Sequence, residues 1–179
     1  MKISWIGDAG IRAETSQGLI LFNLDDNSLD ASSQKDENTI AIFLNENLKK
    51  ASEKKLIDST VSIFEPGEYE VNNIPIQSHA IRLNSEKLDE SMNVYSVISE
   101  SLTICYLNEI SKITIPANIT ESIGKIDILC CISNDSSDQS VESINSLLSS
   151  LDPKILIIVE KDTNQDTTEI YQKLIKGLG

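Results

Sequence analysis

The chain has a single histidine, His79, and this limits the catalytic chemistry that its side chains can perform. A Ser-His-Asp triad would have to use His79, and the sequence has no Gly-x-Ser-x-Gly elbow to present the serine. The glycine-rich phosphate-binding patterns of nucleotide enzymes are absent too. His79 stands in Gln77-Ser78-His79-Ala80, near the end of an apolar run. We therefore interpret it as a strand-end residue with an ordinary hydrogen bond.

The three cysteines, Cys105, Cys130 and Cys131, have a spacing that does not support redox or metal chemistry. Cys130 and Cys131 are adjacent in an apolar run, where neighbouring strand residues point to opposite faces and are poorly placed to pair. No Cys-x-x-Cys spacing occurs. The pattern indicates buried, reduced thiols in a cytoplasmic protein.

The formal net charge of -13 and the pI of about 4.4 describe a strongly acidic chain. Nucleic-acid phosphates and anionic lipid headgroups would repel it, so we expect neither nucleic acid nor a membrane as a partner. No stretch approaches the roughly 18–20 apolar residues of a membrane span, and the N-terminal residues contain no signal-peptide core. An acidic surface favours solubility, and it would also complement a partner protein with a basic patch.

Short apolar runs rich in isoleucine, valine and leucine dominate the chain and predict β-strands. Turn-forming residues separate several of them, and Ser16-Gln17-Gly18, Asn72-Asn73 and Glu100-Ser101 each predict a hairpin. Residues 24–39 are polar and predict a loop. The predicted strands are Ile3–Ile6, Ile11–Thr15, Leu19–Phe22, Ile40–Leu44, Val61–Phe64, Tyr69–Val71, Ile74–Ile81, Val94–Ser99, Leu102–Leu107, Ile126–Ile132 and Lys154–Val159.

Helical spacing of apolar residues occurs late in the chain. It extends from Val141 to Leu151, and Asp152-Pro153 would stop that helix. A short helix is predicted over Ile119–Ile123 and a last amphipathic helix over Thr167–Leu178. Many strands followed by a few helices predict a sheet sandwich flanked by helices, of the α/β (α+β) class, in a single domain over residues 1–179.

Five segments of the chain carry a family resemblance, and one of them, Glu14-Thr15 followed by Gly18-Leu19-Ile20-Leu21, is similar to the hairpin that follows the family's first strand. The opening Lys2–Gly10 is similar to a first strand in which Trp-Leu-Gly-His-Ala is usual, and Pro66–Val71 is the most specific match. Ile104–Glu109 stands where the family has a His-Leu-Gly-Asp-like turn, and Pro153–Ile158 resembles its last core strand. On these segments the chain resembles the small metal-dependent hydrolases of the metallo-β-lactamase superfamily, those similar to the ascorbate-lactonase type. The resemblance implies an αββα sandwich of two mixed β-sheets flanked by helices.

The resemblance does not extend to the zinc ligands. Members of this family hold one or two zinc ions with a His-x-His-x-Asp-His loop after a short apolar strand, and with His and Asp from later loops, so that a bound water is activated. Here the strand Ile40–Leu44 leads into Asn45-Glu46-Asn47-Leu48-Lys49-Lys50. In this register Asn45 and Asn47 stand at the first two histidines of the loop, Lys49 at its aspartate and Lys50 at its last histidine. Outside the loop, Asp8 replaces an early histidine, Glu109 stands near the bridging aspartate and Glu160 stands near the final histidine.

The resemblance therefore implies a site that has lost its metal chemistry. Neutral amide oxygens are weak zinc ligands compared with imidazole, and an ammonium group repels a nearby divalent cation. We predict no zinc, no other cofactor and no catalytic residue. We expect a non-catalytic interaction or scaffold module that binds an unidentified protein partner or a second copy of itself.

Alternatives remain open. One is a hydrolase with an atypical metal site built from Asp8, His79, Glu109 and Glu160. Another is a Ca²⁺ or Mg²⁺ site, which oxygen donors favour and the two loop lysines oppose. A third is small-ligand binding in the vestigial cleft. In a non-catalytic chain, an ammonium of the loop could sit among the carboxylates where the metal would be, which relieves their repulsion at a desolvation cost.

Overall fold

The computed structural model describes residues 1–7, 10–24, 38–44, 49–50, 56, 59–82, 91–107, 114–133 and 138–160. Most of the predicted loop 24–39 and all of the predicted last helix, Thr167–Leu178, lie outside these residues. Within the described ranges, no helix is long and apolar enough to cross a membrane.

Five strands form the first sheet: β1 (Lys2–Ile6), β2 (Gly10–Thr15), β3 (Gly18–Phe22), β4 (Thr39–Ile42) and β5 (Val61–Ile63). They lie side by side in chain order. The first three are antiparallel, as strands separated by only two or three residues of sequence can be, and β4 and β5 add in parallel. β3 and β4 are buried along their whole length, as expected from their continuous apolar sequences.

Six strands form the second sheet: β6 (Gly67–Val71), β7 (Ile74–Arg82), β8 (Ser91–Ser99), β9 (Leu102–Leu107), β10 (Ile128–Ser133) and β11 (Ile155–Glu160). The order is β11-β10-β9-β8-β7-β6. β6 to β9 are antiparallel and β9 to β11 are parallel, with helix α1 (Ala117–Ile123) and helix α2 (Asp138–Leu151) in the two crossovers. The predicted pair of mixed sheets is confirmed.

Three tight hairpin turns confirm the predictions made from turn residues, and they lie together at one edge of the sandwich, here called the turn edge. In the β6–β7 turn, Asn72 and Asn73 have φ values of 53° and 60°, the left-handed conformation that two-residue hairpins require and that asparagine tolerates. In the β8–β9 turn, the Glu100 carboxylate accepts the Ser16 N–H at 2.7 Å and pairs with the α-amino group of Met1. The turns of the two sheets are thus linked.

Two apolar layers bury the two faces of the second sheet. Between the sheets, the ring of Phe22 stacks on Tyr106 with 4.9 Å between centroids. On the other face, apolar residues of α1 and α2 cover the sheet. Cys130 belongs to the layer between the sheets, and Cys105 and Cys131 belong to the helix-covered layer. Cys130 and Cys131 thus point to opposite faces of the sheet, as predicted. All three thiols are free and buried.

Asp127 ties together the starts of three parallel strands at the turn edge. Its backbone N–H donates to Thr103 O at 3.0 Å, and its carbonyl accepts the Ile155 N–H at 3.0 Å. Its Oδ2 accepts the Thr103 N–H at 2.9 Å, and its Oδ1 accepts a hydrogen bond from Lys154 Nζ at 2.6 Å. One aspartate therefore fixes the relative register of β9, β10 and β11.

Candidate functional site

The parallel strands of both sheets end at the edge opposite the turn edge, here called the loop edge. In the first sheet β1, β3, β4 and β5 run in one direction, and in the second sheet β9, β10 and β11 do so. Phe22 at the end of β3 stacks on Tyr106 near the end of β9, so both sets end at the same edge. The segments that follow these strands contain the positions of the predicted vestigial metal site.

The structure describes part of that predicted site. Lys49 and Lys50 are described with their side chains, and the backbone of Glu160 ends β11, paired with Ser133 of β10. The grouping of these positions into one site stays a prediction. The other predicted positions, Asp8, Asn45, Asn47 and Glu109, lie outside the described residues.

The Lys49 ammonium lies over the ring of Phe64, with 4.2 Å between Nζ and the ring centroid. Phe64 directly follows β5, so this positive charge is held at the loop edge. A cation over an aromatic face is stabilised by the ring quadrupole, by about 0.5–1 kcal/mol at exposed sites. Lys49 is half-buried, whereas Lys50 is exposed. The position that resembles the family's aspartate therefore presents an ammonium group here.

Two polar side chains of β8 bond to the first backbone carbonyls beyond β4 and β5. The Tyr95 hydroxyl donates to Phe43 O at 2.7 Å. The Asn93 side-chain amide donates to Phe64 O at 2.6 Å and also lies 3.2 Å from the Tyr95 hydroxyl oxygen. Asn93 and Tyr95 share the inner face of β8 because side chains alternate along a strand. These bonds join the second sheet to the loop edge of the first.

Burial keeps the phenols and thiols of the interior protonated. Desolvation raises the pKa values of Tyr95 and Tyr106, because the phenolate would lose its hydration. The same cause raises the pKa of Cys130 to about 12 and the pKa values of Cys105 and Cys131 well above the ordinary range. These groups act as packing residues and hydrogen-bond donors, not as nucleophiles or bases.

A family model of the β-lactamase superfamily domain matches residues 2–160. The chain belongs to the β-lactamase superfamily. This confirms the resemblance at the level of the superfamily and its fold, and the ascorbate-lactonase branch stays a prediction. A search of curated protein sequences finds no match.

Solved structures of metallo-β-lactamase-fold proteins align over almost the whole chain. A metallo-β-lactamase superfamily protein from Thermotoga maritima aligns with 97% of this chain and 84% of its own, with a TM-score of 0.69 and 18% identity. Igni18, a metallo hydrolase from Ignicoccus hospitalis, aligns with 98% of this chain and 90% of its own, with a TM-score of 0.66 and 7% identity. An isothiocyanate hydrolase from Delia radicum gut bacteria aligns with 99% of this chain and 93% of its own, with a TM-score of 0.60 and 8% identity. At these identities the likeness shows the fold alone.

The side chains that the structure describes at the loop edge do not form a zinc site of the kind that hydrolases of the superfamily use. A catalytic zinc site needs three or more nitrogen, sulfur or carboxylate ligands around one point. No such group of His, Cys, Asp or Glu occurs in the described part of the chain. The Lys49 ammonium would repel a divalent cation, and asparagine at positions 45 and 47 offers weak zinc donors.

His79 lies on the helix-covered face of the second sheet, away from the space between the sheets. Its cross-strand partner is Val94, which belongs with Ile81 to the helix-covered layer, whereas the adjacent Ser78 pairs with Tyr95 on the inner side. Pairing with Ser91 extends β7 to Arg82, one residue beyond the predicted end, so His79 lies three residues from the end of the strand. Its Nε2 atom is buried and has no hydrogen-bond partner among the described residues.

Asn93 and Tyr95 are the functional-site residues that sequence reasoning missed. Their signal is a polar residue, Asn93, two positions before a tyrosine, which places both side chains on one face of the strand. A buried amide needs partners, so such a pair indicates a hydrogen-bond network. The sequence contains no indication that the acceptors are the carbonyls of Phe43 and Phe64.

Proposed function

We propose that this chain is a non-catalytic member of the metallo-β-lactamase fold that acts as an interaction or scaffold module. The Lys49 ammonium over Phe64 carries the proposal, because it stands at the edge where zinc-dependent members place their ligands. A cation there opposes metal binding. The strands, hairpin turns and buried layers around it are those of the fold, so the chain keeps a framework without the groups for hydrolysis.

The partner of this module is a protein with a basic patch, or a second copy of the chain. The net charge of -13 supports the first, because complementary charge speeds association and excludes acidic competitors. The free, buried thiols support a reducing compartment, the cytoplasm. Sedimentation of the purified protein at low and high salt separates self-association from a purely monomeric state.

A hydrolase with an atypical metal site is the competing function. It would use Asp8, His79, Glu109 and Glu160. The placement of His79 on the helix-covered face weighs against it, because the imidazole cannot join ligands at the loop edge without unpairing β7 from β8. Without His79 the set contains carboxylates alone, which suit Ca²⁺ or Mg²⁺ better than zinc.

Metal content tests the proposal directly. Untagged protein, purified without chelator, is analysed for its elements before and after incubation with zinc, manganese or iron and dialysis. We expect less than about a tenth of an equivalent of any metal, since a tight site needs at least three ligands. Retention of about one or two equivalents would contradict the proposal and favour a hydrolase.

A further inference from the structure

We propose that a side-chain network fixes the loop edge in place of a metal ion, and that Lys49, Phe64, Asn93 and Tyr95 form this network with the carbonyl of Phe43. The inference rests on the proposed function, because it concerns how the edge is held when no metal crosslinks it. In a metal site, one cation joins ligands from separate loops. Here protein groups connect the same strand ends.

Tyr95 makes the first connection, from the second sheet to the segment that follows β4. Its phenol is fully buried, and its hydroxyl donates to Phe43 O at 2.7 Å. Phe43 directly follows β4, and its N–H still donates to Ile63 O at 2.8 Å. The Phe43 carbonyl is therefore held from the opposite sheet at the point where the chain leaves the ladder. A buried carbonyl needs such a donor.

Asn93 makes the second connection, from the same strand to the residue that follows β5. Its side-chain amide donates to Phe64 O at 2.6 Å, and the same nitrogen lies 3.2 Å from the Tyr95 hydroxyl oxygen. Two residues of β8 thus hold the carbonyls that follow two neighbouring strands. Because Asn93 and Tyr95 also contact each other, a change at one is transmitted to the other.

Lys49 makes the third connection, to the aromatic ring of Phe64. Its ammonium lies 4.2 Å from the centroid of the Phe64 ring, and the Phe64 carbonyl accepts the hydrogen bond from Asn93. The chain therefore leaves the network at Phe43 and returns to it at Lys49, six residues later. Joining two positions of a chain to one group of side chains is the effect that a crosslinking metal would have.

Amide hydrogen exchange of the chelator-treated protein tests this inference. We compare the wild-type chain with Tyr95→Phe, Asn93→Leu and Lys49→Met, and follow the peptide that spans Phe43 to Lys50. Each variant should accelerate exchange of that peptide by about three- to tenfold, as the loss of one net interaction implies. In the double variant, the effects of Lys49→Met and Tyr95→Phe on the exchange rate should not add, because both substitutions break the same network of contacts.

Two controls separate a local tether from general packing. Lys50→Met removes an adjacent charge that is not over Phe64. Tyr106→Phe removes a buried hydroxyl that is hydrogen-bonded to Asn23, the residue that follows β3 in the opposite sheet. Neither should change exchange of the Phe43–Lys50 peptide selectively. Uniform acceleration of all peptides in Tyr95→Phe and Asn93→Leu, or unchanged exchange in Lys49→Met, would overturn the inference. Bound metal in the elemental analysis would instead overturn the proposed function, whatever the exchange data show.

Discussion

The ammonium of Lys154 lies 2.6 Å from Oδ1 of Asp127, and this pair closes the turn edge of the sandwich. The side chain of Asp127 is largely buried, while that of Lys154 is 60% exposed. The aspartate therefore makes the hydrogen bonds within the fold, and the lysine neutralises its negative charge. The other carboxylate oxygen accepts the Thr103 N–H. The starts of the three parallel strands are thus fixed at the edge farthest from the candidate site.

The Asp127 pair predicts a pH dependence of stability. The hydrogen bond from Lys154, followed by that from the Thr103 N–H, lowers the pKa of Asp127 from its ordinary value of 3.8. A group with a depressed folded-state pKa contributes stability above its unfolded pKa, and this is lost as pH falls through the folded pKa. Asp127→Asn should lower the free energy of unfolding at neutral pH and flatten its decline below about pH 4 in urea titrations.

An exposed carboxyl group of α1 provides the control for this pH experiment. Glu121→Gln removes one negative charge from the surface without touching the strand starts. Its free energy of unfolding should follow the wild-type curve at every pH. If Asp127→Asn also follows that curve, the exposed side of the pair is screened by solvent and contributes nothing measurable.

Restoring the family's ligand loop should restore metal binding. In the variant Asn45→His, Asn47→His, Lys49→Asp, Lys50→His, three imidazoles and a carboxylate follow β4 in the His-x-His-x-Asp-His order. We expect about one zinc ion per chain after dialysis, where the wild-type chain retains almost none. The same histidines with Lys49 kept should bind more weakly, because the ammonium stays at the site. Absence of zinc in the full variant would show that the register of Asn45–Lys50 is wrong.

The buried thiols should be inert in the native protein. Cys130, with a pKa raised to about 12, and the similarly shifted Cys105 and Cys131 contain almost no thiolate at neutral or mildly alkaline pH. An alkylating reagent should therefore modify none of them at about pH 8 in native buffer and all of them in denaturant, as counted by intact mass. Fast labelling of one thiol in the native state would contradict the packing of that face.

The stacked pair Phe22–Tyr106 should be the most sensitive point of the layer between the sheets. Phe22 is fully buried, so Phe22→Ala should cost about 3–5 kcal/mol of unfolding free energy through lost transfer energy and a cavity. Trp5→Ala is the matched aromatic control. Trp5 is 56% exposed at the end of β1, so its loss should cost less than about 1 kcal/mol. Equal effects in urea denaturation would show that Trp5 is covered in solution.

The fold could be predicted from sequence because local signals and the global pattern agree. Asn72-Asn73 and Glu100-Ser101 specify turns, and the apolar runs between such turns specify strands. Asp152 takes a positive φ of 43° directly after α2, as the predicted helix stop requires. Strand bounds were less predictable. β8 begins at Ser91 rather than Val94, because pairing with β7 extends it into polar sequence.

The candidate site was less predictable than the fold. The loss of ligands, predicted from the residue types of Asn45 to Lys50, stays a prediction, because most of the predicted positions lie outside the described residues. The partners of Asn93 and Tyr95 could not be inferred, because their acceptors are backbone carbonyls more than 25 residues away in the chain. The orientation of His79 depends on strand parity, and it follows once the register with Val94 is known.

The separation of the two edges bears on how such a chain changes over evolution. Asp127, the asparagine turn and Glu100 stabilise the sandwich from the turn edge, while the segments after β1, β4, β9 and β11 emerge at the other. Substitutions in those segments therefore do not alter the contacts that stabilise the sandwich at the turn edge. Selection for a folded protein and selection for what the loops do therefore act largely on different residues, so the loop segments can change while the framework stays folded.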